Sequence, residues 1–142
     1  MDKKKIIVTD NVPSQCDGII MVFEKYLPNY KTEYFVHPEA ALRKFPNLEN
    51  TALVITGLYF QGDGINKGGH HKGFEFYDKI KKINKNIPVI INTNCPSRVP
   101  SGEDKIIKDF LENKLIGKDK FYEPKKSGVR LLEIIKENYN IF

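Results

Sequence analysis

The feature that most constrains this chain is a regular alternation of short apolar runs with stretches of helical period. Residues 4–10 (KKIIVTD) read as a short buried strand. From Pro13, the residues Ile19, Val22, Phe23, Tyr26 and Leu27 recur at helical spacing until Pro28 stops them. Residues 31–36 (KTEYFV) alternate as a strand does, and His37-Pro38 opens a short helix through Ala41, Leu42 and Phe45 that Pro46 closes. Residues 52–56 form a third strand. Gly73 opens a helix carrying Phe76, Ile80 and Ile83, and residues 87–93 (IPVIINT) make a fourth strand. Ser101 and Asp104 form a capping pair ahead of Ile106, Ile107, Phe110 and Leu111. A short strand over 120–123 precedes Pro124, and the last helix carries Val129, Leu132, Ile135 and Tyr139 on one face.

Five βα units with short connections leave few topologies. Repeated crossovers force a parallel sheet with helices on both faces. The alternation predicts one doubly wound α/β domain over residues 1–142, a (βα)5 flavodoxin-like fold. Its five-stranded sheet has order 2-1-3-4-5, with the crevice between strands one and three. The connection after the third strand is the exception to short loops, running from about 58 to 72.

Composition then removes several classes of function. Hydrophobic content of 40% and charged content of 29% are those of a globular domain, not a disordered chain. No apolar run approaches the roughly 20 residues that cross a bilayer, and the three aliphatics after the basic start are too short for a secretory signal. A cytoplasmic, membrane-free protein is expected. Cys16 and Cys95 lack metal-ligand spacing and read as two reduced thiols. The net charge of +5 favours anionic partners. Along the chain, however, the lysines are scattered among acids, so nucleic acid is not the expected partner, and a nucleic-acid or anionic-ligand binder stands as a further alternative.

Several segments together resemble the response-regulator receiver (CheY-like) family. KIIVTDNVP resembles its first strand, TALVITGL its third, IPVIINTN its fourth, and GKDKFYEP its fifth, while KGFEFYDKI resembles the opening of its third helix. The resemblance covers nearly the whole chain. It implies two-component signal transduction, in which a histidine kinase passes a phosphoryl group to an aspartate at the tip of strand three. Such a transfer brings a carboxylate to an anionic phosphorus, and a Mg²⁺ ion held by oxygen ligands neutralises both.

Carried over position by position, the resemblance implies a degenerate pocket. The acceptor falls on Gly57, which has no side chain to phosphorylate. The acid pair falls on Asp10 and Asn11, the strand-five lysine on Glu123, and the hydroxyl switch residue on Thr93. Pro124 is retained. The aromatic switch position falls on Lys120, next to Phe121. With two of three oxygen ligands removed or neutralised, no cofactor is expected and a specific Mg²⁺ site is not. A protein group such as Lys120 or Lys125 is expected to take the ion's place beside Asp10 and Glu123.

The long connection LYFQGDGINKGGHHK offers replacement chemistry. Asp63 is a displaced acceptor or a solvated turn residue. His70 and His71 are metal ligands or polar loop residues, with His37 the remaining histidine. The glycines match neither GxGxxG nor the P-loop pattern. Tyr59 and Phe60 at its root pack over the vacant pocket or meet a partner.

The expected function is a stand-alone pseudo-receiver, not an enzyme. It acts through a protein partner of a signalling pathway, kinase or effector, without aspartyl phosphorylation. Its contact face, and a homodimer face, is the one made by the last two helices and the fifth strand, with Lys120 and Phe121. The alternative is an atypical phosphorylated regulator that uses Asp10 or Asp63.

Overall fold

The computed structural model describes residues 3–58, 60, 71–92, 120–122 and 128–138. Its elements run β1 (Lys5–Thr9), α1 (Pro13–Tyr26), β2 (Lys31–Phe35), α2 (Pro38–Lys44), β3 (Thr51–Thr56), α3 (His71–Ile83), β4 (Val89–Asn92), β5 (Lys120–Tyr122) and α4 (Gly128–Asn138). The strands form one sheet of order β2-β1-β3-β4-β5, and every pairing is parallel. This is the expected topology.

The central strands β1, β3 and β4 are buried on both faces, which explains why they read as apolar runs, whereas the edge strand β2 is only half-buried and alternates. Alternate residues serve two cores. Ile6, Val8, Leu53, Ile55 and Ile90 pack against Ile19 and Phe23 of α1 and Leu131 and Ile135 of α4. Ile7, Val54, Val89 and Ile91 face Ala41 of α2 and Phe74, Phe76 and Ile80 of α3. Each such buried side chain contributes about 1.5–3 kcal/mol of transfer free energy.

The helical stripes differ from the sequence reading at their ends. Tyr26, Ile83 and Val129 are half-exposed, because they sit in terminal turns that project past the sheet. On α4 the buried positions are Leu131, Leu132 and Ile135. The fourth strand starts at Val89, since Pro88 has no N–H for the ladder, although its carbonyl accepts from Val54 N at 3.1 Å. Strand β2 ends at Phe35, and the fifth strand ends at Tyr122. The helix expected near 104–111, and Tyr139, lie outside the described residues.

Helix α3 begins at His71, two residues before Gly73, so the long connection is shorter than expected at its far end. Glycine is a poor helix residue, which is why the sequence reads it as a boundary. Here it lies inside the first turn because α3 approaches the sheet too closely for a side chain. A Cβ on Gly73 would lie 2.3 Å from the Gly57 carbonyl oxygen and 2.8 Å from Leu58 Cα.

At the opposite end of the sheet, the turn between α2 and β3 holds Leu48 and Asn50 at φ of 51° and 56°. The start of β1 clamps this turn. Lys5 N donates to Asn50 O at 2.9 Å, Lys5 Nζ donates to Glu49 O, and Asn50 Nδ2 donates to Lys3 O at 2.9 Å. Asparagine visits the left-handed region readily. Leucine at such a φ costs about 1–2 kcal/mol, which full burial of Leu48 offsets.

Candidate functional site

The carboxyl ends of β1 and β3 lie side by side and bring Asp10, with Asn11 after it, next to Gly57. Register places Thr9 beside Thr56, so the residues that follow each strand also lie side by side. Gly57 N donates to Thr9 O at 2.8 Å and Asp10 N donates to Phe35 O at 3.2 Å, which fixes the backbone on both sides of Asp10. Beneath them runs a buried hydroxyl relay. Thr9 Oγ1 donates to Thr56 Oγ1 at 2.7 Å, and Thr56 Oγ1 donates to Gly57 O at 3.0 Å.

Asp10 is held by its own turn and by β2. Its Oδ1 accepts from Val12 N at 2.9 Å, and its carbonyl accepts from the Tyr34 hydroxyl at 2.6 Å. Burial raises the Asp10 carboxyl above its ordinary range, and the Val12 N–H bond opposes that rise. The same burial, with Asp10 and Asp17 nearby, pushes the Cys16 thiol up to about 12. Tyr34 is likewise raised to about 12, by desolvation first and then by Cys16, Asp10 and Asp17.

The other oxygen of Asp10 looks at position 57. A Cβ built on Gly57 would meet Asp10 Oδ2 at 3.3 Å, Asp10 Cγ at 3.5 Å and Thr9 O at 3.6 Å. The backbone of Gly57 is outside the left-handed region, so any L residue fits its conformation. A side chain at this position would therefore emerge directly against Asp10. Glycine leaves the crevice with a carboxylate on the β1 side and none on the β3 side.

Among the described residues this set offers one carboxylate, fewer than a hard divalent cation favours. Among the described residues, no group of three His, Cys, Asp or Glu side chains converges. Thr93, Glu123 and Pro124 lie outside the described residues, as do Lys125, Asp63 and His70. Strands β4 and β5 are described as far as Asn92 and Tyr122, which pair with each other. Lys120 and Phe121 lie on the edge strand β5, and His71 is the first residue of α3.

Four features of this end escaped the sequence reading. The Thr9–Thr56 pair looks like ordinary β-branched strand filling, and only register brings the hydroxyls together. Tyr34 reads as an alternating strand residue. Asn92, next to the expected switch residue, is buried with an Oδ1 that has no hydrogen-bond partner among the described residues. His37 caps α2, its Nδ1 accepting from Glu39 N at 3.2 Å. Its ring meets the edge of the fully buried Phe60 at 5.4 Å between centroids. Phe60 thus anchors the root of the long connection to the start of α2.

No protein-family model and no curated protein matches this chain. Solved structures do. The N-terminal domain of a response regulator/sensory box/GGDEF three-domain protein from Carboxydothermus hydrogenoformans is 17% identical, with a TM-score of 0.67 over 95% of this chain and 93% of that one. A CheY-like response-regulator receiver domain protein from Methanospirillum hungatei JF-1 is 20% identical, at 0.67 over 96% and 93%. The isolated REC domain of RcsB from Salmonella enterica serovar Typhimurium, solved with the phosphomimetic BeF3-, is 17% identical, at 0.61 over 97% and 91%. At these identities the likeness is one of fold: this chain has the response-regulator receiver (CheY-like) fold.

Proposed function

We propose that this chain is a pseudo-receiver, a signalling module of receiver fold that works through protein contacts without aspartyl phosphorylation. The observation that carries the reading is the pairing of Gly57 with Asp10. The position that faces the remaining carboxylate has no nucleophile. Asp10 itself is a poor substitute: one oxygen is engaged by Val12 N–H, and burial disfavours its charged form.

Without an acceptor, signalling rests on the surface that the fold presents. In this reading the contact face includes the edge strand β5, with Lys120 and Phe121, and the neighbouring α4; the partner is a kinase or effector of a signalling pathway. The expected Mg²⁺ affinity is that of a lone, partly buried carboxylate, which gains little Coulomb attraction for the ion.

The test is a nitrogen-proton correlation spectrum of the labelled protein, titrated with Mg²⁺ and then beryllofluoride. The expected result is no saturable shift at Asp10, Asn11 or Gly57. Saturable shifts there sink the reading. Intact-mass analysis after acetyl phosphate treatment then assigns a phosphorylated residue, with Asp10 and Asp63 as the residues to map.

A further inference from the structure

In the sequence the lysines are scattered, but the fold gathers them. In a parallel sheet, helix carboxyl ends and strand amino ends share one end of the molecule. The last turns of α1, α2, α3 and α4 carry Lys25, Arg43 with Lys44, Lys81 with Lys82, and Lys136. The strand starts add Lys3, Lys4, Lys5 and Lys31. Against them among the described residues stand Glu24, Glu33, Glu49, Glu137 and Asp78, which pairs with Lys82 at 3.0 Å. Among the described residues, Asp10, Asp17, Glu39 and Glu75 lie toward the carboxyl end of the sheet, with Lys72. Cations do favour helix carboxyl termini, but that preference does not account for the strand starts, where Lys5 and Lys31 are register partners despite like charge.

This basic end is also concave. A groove of about 1180 Å³ opens there, lined by Lys3, Lys5, Lys31, Tyr30 and Phe45, with Glu24, Glu33 and Glu49 among its other walls. Glu33 pairs with Lys31 at 3.0 Å and with Lys44 at 3.1 Å, and the exposed Lys3 Nζ donates to the Pro28 carbonyl at 2.9 Å. Lys3 and Lys31 therefore meet an anion only by exchanging these surface contacts. Lys5 is 8% exposed, and its described contacts are the Glu49 carbonyl and the Phe45 ring at 4.1 Å, neither of which carries a negative charge. A buried cation ordinarily has a counter-charge. Thr32 Oγ1, in the same wall, is buried with no hydrogen-bond partner among the described residues.

We propose that this groove at the amino end of the sheet binds single-stranded nucleic acid, its lysines tracking phosphates and its rings accepting bases. Alternating cations and half-buried aromatic rings in a groove are what a sequence-tolerant single-strand site requires. No described helix projects from this end to enter a duplex groove, and a concave surface suits a strand better than a flat membrane. The site is on the opposite end of the sheet from Asp10 and Gly57, so it stands or falls independently of the pseudo-receiver reading.

The experiment is fluorescence anisotropy of a labelled oligothymidylate of about 12 nucleotides, a length within the usual site sizes, titrated with the full chain. Saturable binding at 50 mM salt is expected. With three phosphate contacts, raising salt to 200 mM weakens it about 20-fold. Lys3→Gln with Lys31→Gln is expected to flatten the log–log salt slope by about 1.4. Tyr30→Leu is expected to weaken binding about 5-fold or more with the slope intact. Lys72→Gln, at the other end, leaves both unchanged; circular dichroism checks that each variant is folded. Absence of saturable binding at 50 mM salt overturns the proposal. So does an unaltered slope in the double variant, an equal effect of Lys72→Gln, or binding to phosphatidylserine vesicles without binding to the oligonucleotide.

Discussion

Two glycines lie within van der Waals reach of each other at the tip of β3, and their replacement by alanine is expected to have very different consequences. At Gly73 a new Cβ falls 2.3 Å from the Gly57 carbonyl oxygen, 2.8 Å from Leu58 Cα and 3.1 Å from Leu58 O. The first of these is about 1 Å short of ordinary carbon–oxygen contact. All three obstacles are backbone, and Gly73 N already donates to Leu58 O at 3.0 Å, so no side chain can swing aside. Helix α3 must move off the sheet, loosening Phe74, Phe76 and Ile80, all essentially fully buried. Overpacking of this kind costs about 1–3 kcal/mol, and partial loss of three buried contacts adds a similar amount. The better helix propensity of alanine returns at most about 1 kcal/mol. A net loss of about 2–4 kcal/mol is expected for Gly73→Ala. At Gly57 the nearest obstacle is Asp10 Oδ2 at 3.3 Å, the end of a side chain that can shift by a few tenths of an ångström. Gly57→Ala is therefore expected within about 1 kcal/mol of the parent. Urea denaturation of the three proteins, followed by circular dichroism, measures both values. Equal stabilities for the two variants, or a larger loss at Gly57, would refute the close-approach argument.

Three further outcomes follow from the same end of the sheet. Because burial raises the Asp10 carboxyl, its proton favours the folded state: that contribution is full below the unfolded pKa and is lost as pH rises through the folded one. Asp10→Asn keeps an oxygen for Val12 N–H, so it is expected to raise the melting temperature near pH 7, and the gain should vanish as pH falls toward 4. Thr9→Val removes the donor to Thr56 Oγ1 within a buried pair, with an expected cost of about 1–2 kcal/mol; a double-mutant cycle with Thr56→Val in urea melts should show coupling, and strict additivity would contradict the relay. Cys16 is 1% exposed with its thiol raised to about 12, so iodoacetamide at pH 8 is expected to modify it only in denaturant, as read by peptide mapping.

What was legible in the chain follows from how far each signal reaches. Topology was legible because crossovers allow few arrangements, and the continuous apolar runs of β1, β3 and β4 report burial on both faces. Helix ends were read less well. Periodicity predicts a burial stripe without saying where the sheet stops, so Tyr26, Ile83 and Val129 were assigned to the core and are half-exposed. Gly73 was taken for a boundary because propensity penalises glycine, whereas a tertiary approach demands it. At the crevice, Asp10 and Gly57 could be found from their places after β1 and β3. The relay of Thr9 and Thr56 could not, since a hydrogen bond across 47 residues depends on register.

Charge shows the same limit with a larger functional consequence. Read linearly, each lysine has acids nearby, so the net charge of +5 favours an anionic partner without placing it. The βα repeat imposes a second order on it: every helix ends, and every strand begins, at one side of the sheet. A lysine at each such junction is unremarkable alone, but summed over the described residues the cations outnumber the acids at this end. Over distances near the Debye length of about 8 Å, such an end attracts an anion as a patch, not as separate residues. The two ends therefore offer separate functions, a crevice that lacks a nucleophile and a basic groove that lacks an assigned ligand. Variants at Gly57 and at Lys3 with Lys31 can be scored independently.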